Sequence, residues 1–256
     1  MEATILAQDG VFLRKRVVDT TFLGAVIDEY QRAVPVLLEP VKHKPIVGFW
    51  TFIEGDKKKF KLLDEMPLLK RFAHQVADSL RPLTGKPLRL LESIVFNKPP
   101  QKAGLLHWHQ DVSYFPLEPD DQLACWIPFD VVTKDSGAMQ YALGSHLREV
   151  RGSSNLLSNT PLPGETRQAL PLNPEDEGLQ VRVFDMLPGD MLVHEGRTWH
   201  CSGPNTSTRE RRGLSFRYIL GDTFYRTRGG SAGPFTKQTD LKDGDLVDTP
   251  AFPVMV

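Results

Sequence analysis

Two periodicities divide the chain. In the first third, apolar residues recur every three or four positions. Leu23, Ile27, Tyr30 and Val34 follow the polar start Asp19-Thr20-Thr21, and Leu69, Phe72, Val76 and Leu80 repeat the pattern. Such spacing puts each set on one face of an α-helix. Pro67 suits the first turn of the second helix, which should stop by Gly85-Lys86-Pro87. Residues 40–62, between the two helices, read as irregular and partly charged. From about residue 88 the period falls to two. Leu90 to Phe96 reads as a strand ending at Pro99-Pro100. Gln122 to Val131 alternates, with Leu123, Cys125, Ile127, Phe129 and Val131 on one face, and further strands are expected at 138–143, 179–186, 190–194 and 213–220. Several short strands after two helices predict a mainly β fold, an antiparallel jelly-roll barrel with helices packed on one sheet. Residues 152–178, rich in Ser, Asn, Pro and Gly, form a long insertion, which in a compact domain is functional or disordered.

A length of 256 residues suits one domain: a mostly helical layer over 1–87, a barrel core over 88–222 and a C-terminal extension over 223–256. A formal net charge of -1 gives no long-range pull towards nucleic acid or anionic membrane. The short basic runs Arg14-Lys15-Arg16 and Lys57-Lys58-Lys59 read as solvated loops. Two cysteines, Cys125 and Cys201, are too few for a disulfide scaffold and read as reduced thiols. The start, Met1-Glu2-Ala3-Thr4-Ile5, lacks the features of a secretory signal, and no apolar run has membrane-spanning length. A soluble cytoplasmic protein acting on a small molecule is expected.

The first chemical signal is Leu106-His107-Trp108-His109-Gln110-Asp111. On a strand, His109 and Asp111 leave by the same face and offer one imidazole and one carboxylate to a single ion. His107 shares that face by the same alternation, as a competing ligand or a hydrogen-bonding neighbour. A third ligand must come from elsewhere, and His200 is the best candidate. Two histidines and a carboxylate on one side of a metal leave three positions open. That arrangement suits iron(II) that must bind both an oxidisable cosubstrate and dioxygen. An isolated His-x-Asp is common, so the surroundings carry the case.

Arg211 lies eleven residues after His200. In its strand, Arg211, Gly213, Ser215 and Arg217 share one face, while Leu214, Phe216, Tyr218 and Leu220 can pack beneath the helices. The first face then lines the barrel interior. A buried guanidinium needs an anion, and no acidic residue on this strand supplies one. A dicarboxylate held by a bidentate pair would serve. The competing reading is a surface arginine within Arg209-Glu210-Arg211-Arg212.

Taken together, Phe96-Asn97-Lys98-Pro99-Pro100, His109-Gln110-Asp111, Tyr114-Phe115-Pro116, Cys125-Trp126, Asp135-Ser136-Gly137-Ala138-Met139, Leu143-Gly144-Ser145-His146, Pro188-Gly189-Asp190 and His200-Cys201-Ser202-Gly203-Pro204-Asn205 resemble, in order and spacing, the phytanoyl-CoA dioxygenase family of iron(II)/2-oxoglutarate-dependent oxygenases. The resemblance implies a double-stranded β-helix, with His109, Asp111 and His200 binding iron(II). It implies that Arg211, helped by Ser202, holds the distal carboxylate of 2-oxoglutarate. Trp126, matched across a one-residue gap, together with Gln110 and Ile94, falls at further cosubstrate positions. His146 and Asp190 fall at structural ones. Some family members replace the triad carboxylate by a small residue and admit halide; Asp111 favours hydroxylation by dioxygen or a related oxidation. Acyl-CoA specificity does not follow. Tyr114 and Phe115, with loops 40–62 and 152–178, are candidates for the substrate mouth, and plain packing competes for each. Cys201 should point away from the metal, while His194 and Glu195 either tune the site or sit at a turn. The rivals are a non-catalytic barrel of the same fold, a zinc or manganese isomerase or hydrolase, and a nucleic-acid-modifying oxygenase.

Overall fold

The apolar stripe ending at Leu80 does form a helix, α3 (Pro67–Thr84), in the computed structural model, which describes residues 1–37, 66–101, 104–229, 241–250 and 252–256. Before it come α1 (Glu2–Asp9), β1 (Val11–Arg14) and α2 (Thr20–Leu37). Pro67 begins α3, where its missing N–H costs nothing. Leu69, Phe72, Val76 and Leu80 are all buried, and Gly85 closes the helix at φ 61°, its N–H bonded to the Arg81 carbonyl. The start of α3 is satisfied from α2: the Glu29 carboxylate accepts the N–H groups of Leu68 and Leu69 at 3.0 and 2.8 Å. Loop 40–62, the run Lys57-Lys58-Lys59 and the side chain of Val34 lie outside the described residues.

The strands that follow are β2 (Leu88–Lys98), β3 (Leu106–His109), β4 (Leu117–Glu118), β5 (Gln122–Pro128), β6 (Met139–Ala142), β7 (Val181–Val183), β8 (Met191–Glu195), β9 (His200–Ser202), β10 (Arg211–Leu220) and β11 (Phe224–Tyr225). They build a five-stranded sheet in the order β1-β8-β5-β10-β2, a four-stranded sheet β3-β9-β6-β7 and the small pair β11-β4. Every pairing is antiparallel. The fold is the jelly-roll barrel of the sequence pattern, with the helices on the larger sheet. Leu123, Cys125, Ile127, Leu214, Phe216 and Tyr218 face α2 and α3 and form the main core with Phe72 and Leu80. Phe72 meets Phe216 edge-on at 5.6 Å, and Tyr218 donates its hydroxyl to the Ala73 carbonyl. Between the two sheets a second core joins Val11, Trp126 and Leu192 to Met139 and Tyr141.

Two expectations need correction. The alternating strand stops at Pro128, and Val131 lies beyond it, 38% exposed. All seven residues of β5 are buried, because helices cover one face and the barrel interior the other. The strand expected at 179–186 shrinks to three residues. The insertion 152–178 is folded: Ser154 bridges to Pro161, and the Glu165 carboxylate accepts the N–H and hydroxyl of Ser153. No described helix is long and apolar enough to cross a membrane.

Candidate active site

Strand pairing brings together two histidines, His109 and His200, that lie 91 positions apart in the chain. β3 runs against β9 with His109 opposite His200, and their ring centroids are 4.1 Å apart. Asp111 arrives differently from the expected strand alternation. The β3–β9 pairing is irregular between Leu106 and His109, the strand ends at His109, and Asp111 opens a 3₁₀ turn (Asp111–Tyr114). The turn swings the carboxylate back beside the two rings. Asp111 Oδ1 lies 3.6 Å from His200 Nε2 and 4.0 Å from His109 Nε2, with all three residues buried. His107 is outside this cluster; its backbone carbonyl accepts a hydrogen bond from His109 Nδ1 at 2.7 Å.

The hydrogen bonds fix which atoms face the centre. His109 Nδ1 donates to the His107 carbonyl, and His200 Nδ1 donates to that of Thr198 at 2.8 Å. A carbonyl can only accept, so each Nδ1 carries the hydrogen and each Nε2 turns a lone pair inward. Burial lowers the pKa of His109, against the pull of Asp111, and lowers that of His200 well below the ordinary value, reinforced by His109. Burial opposes ionisation of Asp111, yet the neighbouring imidazoles and a bond from His194 outweigh it and hold its carboxyl below the usual range. Two neutral imidazoles and one carboxylate converging from one side fit a divalent first-row metal.

Asp111 is also held from behind. His194 Nε2 meets Asp111 Oδ2 at 3.2 Å, and His194 Nδ1 meets the Tyr141 hydroxyl at 3.1 Å. With Tyr141 donating to Nδ1, His194 donates through Nε2 to the carboxylate. The Tyr141 ring stacks on His200 at 5.6 Å. His194, left open between a tuning role and a turn, therefore belongs to the site, whereas Glu195 forms no part of the cluster. Cys201 is buried between two inward residues, and burial pushes its thiol up to about 12.

Arg211 enters the barrel interior and is 1% exposed, which removes the surface reading. Its guanidinium lies over the Trp126 ring at 4.3 Å, and Nε and Nη2 have no hydrogen-bond partner among the described residues. Its cross-strand neighbour is another cation, Lys98, whose Nζ donates to the carbonyls of Ser202 and Gly203. Burial, then Arg211, lower Lys98 to about 7, while burial lowers Arg211 only to about 10, so Arg211 stays charged at neutral pH. Buried, cationic and short of acceptors, Arg211 fits an anion. Close packing with Trp126 requires glycine at 213: a Cβ there would stand 2.1 Å from the indole.

The remaining predicted positions separate. Ile94 lines the interior opposite Ser215, in the row that contains Trp126. Ser202 is buried, and its hydroxyl donates to the Gly137 carbonyl at 3.1 Å. Gln110 is fully buried with both polar ends used on backbone: Nε2 donates to Arg197 O and Oε1 accepts from Arg151 N, both at 2.7 Å. It therefore braces the turn that carries Asp111. Tyr114 stands edge-on to His109 at 6.1 Å and donates its hydroxyl to Ser154 O in the insertion. Phe115 is not at an open mouth; it packs in a core with Leu91, Leu117 and Ile219, because the 3₁₀ turn directs it inward. Sequence reasoning missed Glu92 and Tyr141 and gave Arg217 no role. Arg217 had the right phase on its strand, but its acidic partner lies on β2.

The sequence profile of the phytanoyl-CoA dioxygenase family matches residues 7–213. The chain belongs to this family. Among curated relatives, a probable α-ketoglutarate-dependent hypophosphite dioxygenase of Stutzerimonas stutzeri is 32% identical over 166 residues, covering 64% of this chain and 56% of that protein. The peroxisomal phytanoyl-CoA dioxygenase of Homo sapiens is 25% identical over 147 residues, covering 56% and 42%. The chain thus spans about half the length of the curated relatives it matches. Among solved structures, the non-haem α-ketoglutarate-dependent carbocyclase SnoK from nogalamycin biosynthesis superposes with a TM-score of 0.76 at 21% identity, over 98% of this chain and 94% of that one. The epimerase SnoN, in complex with Fe3+, α-ketoglutarate and nogalamycin RO, gives 0.73 at 20% identity, over 99% and 97%. At these identities the likeness establishes the fold.

Proposed function

We propose that this family member is an iron(II)- and 2-oxoglutarate-dependent dioxygenase that hydroxylates an unactivated C–H bond of a small molecule, releasing succinate and carbon dioxide. The observation that carries the reading is the pairing of a buried His109–Asp111–His200 cluster with a buried arginine, Arg211, whose Nε and Nη2 lack acceptors among the described residues. His109 Nε2, Asp111 Oδ1 and His200 Nε2 would hold the metal, which when bound supplies activation of dioxygen. Arg211 would take the distal carboxylate of 2-oxoglutarate in a bidentate pair, with Trp126 as one wall. Tyr141 and His194 orient Asp111, and Gln110 stiffens the turn that carries it. Ile94 and Trp126, both buried, would help to exclude water from the reacting groups.

Hydroxylation is preferred over halogenation because Asp111 occupies the ligand position that a halide would need. The named activities of the relatives and neighbours include carbocyclisation and epimerisation as well as dioxygenation, so the fold hosts several oxidative outcomes. A screen of small molecules with the iron-loaded protein tests the assignment. Substrate should accelerate succinate release, and under isotopically labelled dioxygen the product should gain one labelled oxygen atom. A product that is chlorinated, or that is oxidised without gaining oxygen, would replace hydroxylation by another outcome. Failure of any molecule to raise succinate formation while the chain binds metal would favour a non-catalytic barrel.

A further inference from the structure

We infer that Arg217 and Glu92 form a charge-balanced buried pair that positions Asp111 to present a single oxygen, Oδ1, to the metal; this inference rests on the metal site proposed above. The two residues are cross-strand neighbours on β10 and β2, and both point into the barrel. Glu92 is 1% exposed and Arg217 8%. Arg217 Nη1 is ion-paired with Glu92 Oε1, and Nη2 lies 2.5 Å from Asp111 Oδ1. Phe115 covers the guanidinium, its ring centroid 5.2 Å away. On the other side Arg217 faces Ala124 of β5, whose methyl group leaves space for the long side chain.

Both oxygens of Asp111 are therefore gripped. His194 holds Oδ2 and Arg217 holds Oδ1, the oxygen nearest His109 and His200. A carboxylate held at both ends cannot turn to offer both oxygens to one ion. Arg217 alone would disfavour a dication beside it, since like charges at this distance repel strongly in a dry interior. Glu92 cancels that charge, so the cluster of Asp111, Arg217 and Glu92 keeps the net single negative charge that the metal needs. Glu92 thus matters to the site without touching a ligand, and a pair that only closed the sheet would not. Removing Arg217 leaves Glu92 buried without its ion-pair partner, and removing Glu92 leaves Arg217 on Asp111 alone with its charge uncancelled, whereas removing both leaves neither defect.

Cobalt(II) titrations of the purified chain, without 2-oxoglutarate and followed by ligand-field absorption, give a readout independent of turnover. Circular dichroism and melting report the fold in parallel. Glu92→Gln and Arg217→Met are each expected to raise the cobalt dissociation constant by about 10–100-fold, as loss of outer-shell partners does. Arg217→Lys should fall between, because an ammonium cannot bridge two carboxylates as a fork does. The double variant Glu92→Gln/Arg217→Met should be no weaker than the worse single. Singles that stay within about twofold of the parent, the scatter of independent sites, would overturn the inference. So would a double variant whose loss equals the product of the two. Should Arg217→Met not fold, the near-isosteric Glu92→Gln and Arg217→Lys decide by the same criteria. His200→Ala separates the two levels: a parent that binds cobalt no better than this variant lacks the metal site itself, and both readings fall together.

Discussion

Alanine at His109, Asp111 or His200 is expected to abolish turnover while the barrel remains folded. Each substitution removes one of the three donors that converge among the described residues, and Asp111→Ala also removes the anionic group that would offset a dication. The two strands that carry the histidines remain paired through backbone, so circular dichroism should change little. Iron binding under anaerobic conditions should fall from about one ion per chain, the stoichiometry of a single facial triad. His107→Ala is the control. Its contribution to the site is a backbone carbonyl, which any residue at that position supplies, so metal and activity should survive. Full activity in folded Asp111→Ala, or loss of metal from His107→Ala alone, would contradict the ligand assignment.

Arg211→Ala is expected to weaken 2-oxoglutarate binding by roughly thirty-fold to several thousand-fold. That range converts the ~2–5 kcal/mol that truncating one side of a buried charge pair typically costs. The upper part is favoured by the burial of Arg211 and by the absence of acceptors for Nε and Nη2 among the described residues. Lys98 does not substitute for it, because its Nζ is engaged by two backbone carbonyls and burial lowers its pKa to about 7. Arg211→Lys should recover only part of the loss, since a point charge cannot reproduce the fork. Iron affinity should be unchanged. Arg212 is the internal control: it turns to the opposite face and grips Asp130 through Nε and Nη2 at 3.0 and 2.8 Å. Arg212→Ala should cost some stability and leave cosubstrate affinity at the parent value. Parent-like affinity in Arg211→Ala, or a weaker Arg212→Ala, would overturn the cosubstrate assignment.

Periodicity carried most of the fold. The stripe of α3 and the phase of β10 are local patterns, and both faces of β10 fall where the alternation put them. β5 was legible only on its helix-facing side, because a strand covered on both faces has no polar partner row to mark its end. His109, Asp111 and His200 do lie together, but not by the strand alternation that pointed to them. His109 meets His200 through strand register, which single-sequence spacing does not encode, and Asp111 reaches them through a 3₁₀ turn rather than along a strand. Gln110 looked like a cosubstrate contact, yet its amide is used on the carbonyl of Arg197 and the N–H of Arg151, which are tertiary neighbours. Glu92 was unreadable for a similar reason: its pairing with Arg217 follows from β2–β10 register, and that register shifts between Arg217 and Tyr218.

One iron(II) and one 2-oxoglutarate are expected to meet at His109, Asp111 and His200. The most direct test is an anaerobic titration of the iron(II)-loaded chain with 2-oxoglutarate, following the visible metal-to-ligand charge-transfer band of a chelated keto acid. The expected band saturates at one cosubstrate per chain and is missing from His200→Ala. A folded, iron-loaded parent that shows no such band at saturating 2-oxoglutarate would contradict it.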